Sequence, residues 1–283
     1  MPLQITAFSF PAALVITIFL GAMFTRLFLP GLMGMIVEAG FVRPNFRGEV
    51  IPLGVGLVFS LATVACIVIL YPFLPGQLQF SALAFSLALA AFTCLGLVDD
   101  VWGSRRDSGL KGHLRNLLQG RLTTGALKAL AGGGVSLFLA TATGPLAWVP
   151  VNALTLALSV NTINLLDLRP GRAGKGFLLG SILLFAAGWG QWSLAFLGAL
   201  AGSVMAYLTV DLKARAMMGD TGANALGAAL GLTAIWVLPD GVKLVYLGLL
   251  IVLHVVAEKY SLTALIARSP LLDRLDRWGS DRE

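Results

Sequence analysis

The stretch LGLVDDVWGS (residues 95–104) decides how this chain is read. It closes an apolar run that begins near residue 80, and it closes it on two adjacent carboxylates, Asp99 and Asp100. An Asp at the centre of a membrane helix costs on the order of 2.5–3.5 kcal/mol, so the pair marks the point where a membrane segment meets water. Composition requires that setting. Of 283 residues, 57% are hydrophobic and only 12% are charged, with a mean hydropathy of +0.86; a soluble domain carries about 25% charged residues. The expected class is an all-α, polytopic membrane helix bundle. The 33 glycines suit it, because small residues let membrane helices approach closely.

Working outward from Asp99 and Asp100, nine apolar segments can be marked: 8–28, 53–72, 80–98, 124–143, 147–165, 176–190, 192–209, 222–238 and 242–257. A spanning helix needs about 17–25 residues, so about nine transmembrane helices are expected. The first is read as a helix rather than a cleaved leader, since Arg26 and Pro30 follow it instead of a small-residue cleavage site. With nine segments, all of the 20 Lys and Arg except Lys243, and all of the 14 Asp and Glu except Asp240, fall on one side. The excess of Lys and Arg makes that side cytoplasmic. The N-terminus is then outside, the C-terminus is inside, and any chemistry belongs to the cytoplasmic face. Residues 1–261 form the membrane domain. Residues 262–283 form a cytoplasmic tail, in which Leu262, Leu265, Ile266, Leu271, Leu272 and Leu275 can make one apolar helix face.

Four clusters lie at the cytoplasmic helix ends: RPNFRGEVIPLGVG (43–56), LVDDVWGS and the basic stretch after it, NTINLLDLRPGRAGKG (161–176), and KARAMMGDTGANALGAALG (213–231). Asp99, Asp100, Asp167 and Asp220 come from distant segments but share one side. Solvation at a helix end accounts for one such acid. Four carboxylates brought together repel unless they are protonated or hold a cation, and Mg²⁺, which takes oxygen ligands and commonly shares a phosphate, is the natural partner. In GDTG, Asp220 or Thr221 can act as a helix N-cap, and the amides at that helix start favour a phosphate or a carboxylate.

Arg105, Arg106, Lys111, Arg115, Arg121 and Lys128 follow the Asp pair, and Arg169, Arg172 and Lys175 follow Asp167. Most of these satisfy the topology rule and touch anionic lipid. Lys128 stands apart because it opens an apolar helix, where it could meet a pyrophosphate. The net charge of +6 therefore signals membrane orientation rather than nucleic acid. Cys66 and Cys94 sit in apolar runs and are expected to be free, buried thiols. With His113 and His254 they show no zinc-ligand spacing. His254 and Glu258, four apart, are expected to share a local hydrogen bond. No nucleophile elbow and no Walker-type loop is present.

These clusters resemble those of the polyprenyl-phosphate N-acetylhexosamine-1-phosphate transferases, and the resemblance runs through nearly the whole chain in order. RPNFRGEVIPLGVG is similar to the family's first cytoplasmic motif, GLVDDVWG to its Asp-Asp motif, Lys128 in TGALKAL to the Lys that opens the next helix, NTINLLD to its Asn-x-x-Asn-x-x-Asp motif, and MMGDTGANALG to its Gly-Asp-Ser/Thr-Gly motif. The resemblance implies an Mg²⁺-dependent enzyme of the bacterial cytoplasmic membrane. Such an enzyme moves a sugar-1-phosphate from a UDP-sugar to undecaprenyl phosphate, releasing UMP, in cell-envelope synthesis.

The resemblance also implies residue roles. Asp99 would be the base that deprotonates or positions the lipid phosphate, and Asp100 would assist. Asp220, with Asp100, would hold the metal. Asn161, Asn164 and Asp167 would line the nucleotide and metal cleft, and Lys128 would hold a phosphate. Asn45, Arg169, Arg172, Gly219 and Thr221 complete the expected substrate-binding set. A second copy of the chain is a candidate partner.

The sequence departs from the family where many members carry a second Asp, at Pro170, and it has no His-rich stretch after residue 257. A catalytically weak relative serving as a membrane partner is the first alternative. A transporter is the second; it fits less well because the acids lie at helix ends rather than at mid-depth.

Overall fold

The structure is a computed structural model that describes residues 9–103 and 123–280. The expected contributions of Arg105, Arg106, Lys111, His113, Arg115 and Arg121 lie outside the described residues. Among the described residues nine long helices follow one another: α1 (Phe10–Glu38), α2 (Leu57–Leu70), α3 (Gly76–Trp102), α4 (Thr124–Thr143), α5 (Val149–Leu166), α6 (Arg172–Ala187), α7 (Leu194–Asp211), α8 (Gly219–Val237) and α9 (Asp240–Lys259). Each corresponds to one of the nine apolar segments. Two short helices, α10 (Leu262–Arg268) and α11 (Pro270–Arg277), end the chain.

Proline sets many of the helix starts, because its fixed φ suits the first turn and its missing N–H costs nothing there. Pro11, Pro150 and Pro270 stand at the first or second position of α1, α5 and α11, and Pro75 and Pro239 precede α3 and α9. Among the described residues six stretches are long and apolar enough to cross a membrane by length and composition: Phe10–Glu38, Gly76–Trp102, Thr124–Thr143, Leu146–Leu166, Leu194–Asp211 and Asp240–Lys259. The helices α2, α6 and α8 fall short of that measure.

One departure from the all-α expectation is a small hairpin. β1 (Val42–Pro44) pairs antiparallel with β2 (Val50–Pro52), with Arg43 opposite Ile51. The motif at 43–56 thus begins as a hairpin, and the helix expected from about residue 53 starts at Leu57. Asn45 makes the turn: its Oδ1 accepts from Arg47 N (2.8 Å) and Glu49 N (3.0 Å). Such side-chain mimicry of a backbone turn is characteristic of Asn.

The core is built around α8, which is buried along nearly all its length. It can be central because its glycines admit other backbones. A Cβ on Gly222 would crowd Gly56 at the start of α2, and one on Gly227 would overlap Val160 of α5. On its other side Gly96 of α3 lies against the Asp220 carbonyl. The same small-residue approach joins α1 to α7, where Gly202 meets the Ile18 carbonyl and Thr25 bonds Ser203 (2.5 Å).

The bundle has two poles. The C-terminal ends of α1, α3, α5, α7 and α9 meet the N-terminal ends of α2, α4, α6 and α8 at one of them. Contacts that fix this pole include Val55 N to Met217 O, Lys128 to Asp220 and Gly171 N to Asp211. Trp102, Tyr260 and Trp278 are exposed there. At the opposite pole Trp189 and Trp192 pack edge-on to Phe10, and Lys243 lies over Trp148. Aromatic rings at both ends of an apolar belt are the pattern of the two membrane–water interfaces.

Two smaller expectations are corrected. Both cysteines are free, but only Cys66 is buried; Cys94 is exposed. The partner of His254 is not Glu258 but the Leu250 carbonyl one turn back, reached by Nδ1 at 2.7 Å.

Candidate active site

The opening carboxylate pair divides its work. Asp99 and Asp100 are adjacent on α3, so they point in different directions about the helix. Asp100 is buried and aimed at the first turn of α8. Its Oδ1 accepts from Asp220 N (3.0 Å), and its Oδ2 accepts from Thr221 N (2.9 Å) and Thr221 Oγ1 (2.6 Å). The first amides of a helix have no partner within it and carry a partial positive charge. A carboxylate from another helix satisfies them here. The expected anion at the GDTG helix start is therefore the chain's own Asp100. The position before the helix is filled by Met218, and neither Asp220 nor Thr221 caps it. Gly219 makes the approach possible: its φ is +68°, and a Cβ there would run into the Asp100 carboxylate.

Asp99 faces Lys128 at the start of α4. The Lys128 Nζ donates to Asp220 Oδ2 (2.5 Å) and reaches Asp99 Oδ2 at 3.4 Å, all three side chains being partly exposed. Three helices thus meet at one ammonium held between two carboxylates. Thr123 fixes the start of α4 by accepting from Ala126 N (3.1 Å). Asn164 of α5 donates to Asn224 Oδ1 (3.1 Å) on α8 and also faces the Asp220 carboxylate.

On the other side of Asp220 opens a cleft of about 550 Å³. Its walls include Asp100, Asp167, Asp211 and Asp220, with Arg43, Asn45, Arg169 and Pro170 around them. Asp167 ends α5. Desolvation there, then the charges of Asp211, Asp220 and Asp100, holds its carboxyl well above the usual carboxylate range. Asp211, buried at the end of α7, accepts from Gly171 N (3.0 Å) and so fixes the turn that follows Asp167. Arg43 donates to the Asp100 carbonyl (2.8 Å), and Asn45 Nδ2 to the Ala214 carbonyl (3.2 Å), which pins the hairpin over the cleft.

Of the residues expected in the site, Asp99, Asp100, Lys128, Asn164, Gly219, Asp220 and Thr221 are brought together, and Asn45, Asp167 and Arg169 line the adjoining cleft. Two stand elsewhere. Asn161 is exposed and is not among the cleft-lining residues. Arg172 is buried and turned to the C-terminal helix, where Nε and Nη2 each reach an oxygen of Asp276 at 2.8 Å. Asp211 and Arg43 were not singled out from the sequence. Arg43 opens a motif that was, so its place in that motif was a usable signal. Asp211 ends an apolar helix just as Asp99 does, and that was the available signal for it.

Among the described residues, no three His, Cys, Asp or Glu side chains stand close enough to hold a metal ion together. Mg²⁺ needs less, since it keeps several waters and uses one or two carboxylates with substrate phosphates. Asp220 and Asp99, two hard oxygen donors already gathered around a cationic ammonium, fit that requirement. Asp100 has its oxygens engaged with α8.

Fold and site together define a class: a membrane helix bundle with a carboxylate-rich cleft at one pole. The description "Glycosyl transferase family 4" matches residues 80–238, the stretch that carries Asp99, Lys128, Asp167 and Asp220. Phospho-N-acetylmuramoyl-pentapeptide-transferase from Moorella thermoacetica is 30% identical over 263 residues, covering 84% of this chain and 79% of that protein. Enzymes of the same name from Clostridium perfringens strain SM101 and Chlamydia trachomatis serovar L2 are 29% and 27% identical. The matched stretch spans 64% and 60% of their lengths. The chain belongs to glycosyl transferase family 4, within the polyprenyl-phosphate hexosamine-1-phosphate transferase superfamily, and is a phosphosugar transferase.

Proposed function

We propose that this protein transfers a sugar-1-phosphate from a UDP-sugar to undecaprenyl phosphate at the cytoplasmic face of a bacterial inner membrane, with Mg²⁺. The observation that carries this reading is the convergence of Asp99, Lys128 and Asp220 from three helices at the pole that also holds the cleft. In the reaction an oxygen of the lipid phosphate bonds to the sugar-bearing phosphorus. The bridging oxygen leaves with UMP, and the product is a lipid diphosphate sugar. Both substrates are anionic and one is anchored in lipid, so a site at the membrane surface lets each enter from its own phase.

The residues divide the task. Asp99, in the last turn of α3, takes the proton from the lipid phosphate or orients it. Lys128 exchanges its carboxylate partners for a substrate phosphate, which places a cation beside the group in transfer. Asp220 and Asp99 would hold Mg²⁺, whose chemistry when bound is to offset diphosphate charge. Asp100 keeps the first turn of α8, and so Asp220, in position. Asp167 and Arg169 would face the nucleotide in the cleft. The orientation rests on the one-sided distribution of Lys and Arg, and nine spans rest on the up-and-down order of the nine helices.

The test is to incubate the purified protein with undecaprenyl phosphate, Mg²⁺ and UDP-sugars, UDP-N-acetylmuramoyl-pentapeptide and UDP-N-acetylglucosamine among them. UMP release with one donor is expected, with a loss of at least about 100-fold for Asp99→Asn, on the scale of removing a general base. Absence of UMP with every donor would end this reading. UMP release that survives Asp99→Asn would move the base elsewhere.

A further inference from the structure

The last two helices present a surface that the transfer reaction leaves unused. In α11, Leu271 and Leu275 stand four apart with Leu272 beside them, so the three share one side of the helix, and Trp278 follows directly at its C-terminal end. All are open: Leu271 is 67% exposed and Trp278 is 74% exposed. The side of α11 that carries Asp276 is anchored to the bundle. Asp276 is buried against Arg172, and Thr263 of α10 accepts from the same guanidinium at 2.9 Å. Lys175 Nζ donates to the carbonyls of Leu275, Asp276 and Trp278 at 2.7–3.1 Å, closing the C-terminal end of the helix. Arg277 pairs with Asp273 away from the apolar stripe (2.9 Å). The helix is therefore held in one orientation, with its apolar side turned outward.

We propose that α10 and α11 form a foot that rests in the headgroup layer of the leaflet bordering the active pole, with Leu271, Leu272, Leu275 and Trp278 toward lipid. Three observations choose lipid as the occupant. The foot lies at the pole where Trp102 and Tyr260 are exposed, which is the level of the interfacial aromatic belt. It follows α9 directly in the chain, and Val245, Leu249 and Val252 of α9 are exposed. Arg268 and Arg274 accompany the stripe, as expected against anionic headgroups. A four-residue stripe on an eight-residue helix is also far below the roughly 1,200 Å² that a stable protein–protein contact buries. The foot reaches the cleft through Arg172, next to Gly171, whose N–H is held by Asp211. The leaflet is thereby tied to the turn bearing Arg169.

The full chain, with Cys66→Ala and Cys94→Ala, is reconstituted in nanodiscs of phosphatidylcholine and phosphatidylglycerol. Nitroxide labels are attached at Leu271→Cys, Leu275→Cys, Trp278→Cys or Arg277→Cys. Labels at 271, 275 and 278 should be more accessible to oxygen than to a water-soluble nickel chelate, and the order should reverse at 277. Adding Asp276→Ala should loosen the 275 label and raise its accessibility to the chelate. Greater accessibility to the chelate at all four positions would overturn the proposal. So would dipolar coupling between labels on two copies, which would make the stripe a self-interface. An unchanged 275 label in the Asp276→Ala protein would remove the clamp. Should the labelled proteins not fold, quenching of the native chain by brominated lipid, compared with Trp278→Phe, reads the same contact. Equal quenching of the two would overturn it.

Discussion

Asp100 and Asp99 are neighbours in sequence with different physical duties, and substitution should separate them. Asp100→Ala strands the amides of Asp220 and Thr221, both at a buried helix start. Unsatisfied buried donors cost about 1–3 kcal/mol each, so a destabilisation of about 3 kcal/mol is expected, read as a lower melting temperature in detergent. Asp99→Asn should leave melting nearly unchanged while abolishing turnover. Asp167 gives a pH signature. Its folded-state pKa lies above the unfolded value because of burial and the acids around it. The stability contributed by the protonated carboxyl is complete below the unfolded pKa of about 3.9 and is lost as pH rises through the raised folded value. Asn imitates the protonated form at every pH. Asp167→Asn, free of divalent ions, should therefore melt above the parent near neutral pH, with the gap closing toward about pH 4. A gap independent of pH would show that Asp167 carries no such charge cost.

At the scale of elements, the glycines decide whether the site assembles. A Cβ on Gly96 would occupy the Asp220 carbonyl, whereas one on Gly133 of α4 meets nothing within 4 Å. Gly96→Ala should push α3 off α8, lowering both melting temperature and activity. Gly133→Ala should be neutral or stabilising by up to about 1 kcal/mol through helix propensity. Comparing the two proteins by thermal melt and UMP release isolates close approach from mere loss of glycine. The nine helices were legible because apolar length is a local property of the sequence, readable one segment at a time. The 42–52 hairpin was not, since its strands are three residues each and depend on Asn45 folding back on Glu49 and Ala214. Arg172 was grouped with the substrate cations by its motif. Only the tertiary placement of α11, a hundred residues later, shows that its charge is spent on Asp276.

For the whole molecule, the sequence predicted acids gathered at one end, and they are gathered there, because alternating helices must return every second loop to the same pole. Which acid caps, which pairs and which lines the cleft depends on helix rotation, and hydrophobicity barely encodes rotation in segments so uniformly apolar. The direction of the bundle in the membrane is open to test. In intact cells, single cysteines at Gly144 should react with a membrane-impermeant maleimide, and those at Arg169 should react only after permeabilisation. The reverse pattern would invert the topology. The contact between Asp100 and the start of α8 also carries a consequence for biosynthesis. The two partners are 120 residues apart. At about 5–20 residues per second, α3 stands in the membrane for roughly 6–24 s before the amides that neutralise its buried acid are synthesised. During that interval Asp100 must stay at the aqueous surface or carry a proton. The emergence of α8 from the ribosome, rather than the insertion of α3, is then the event that completes the site, and a chain stalled before residue 219 would hold every upstream motif without a finished one.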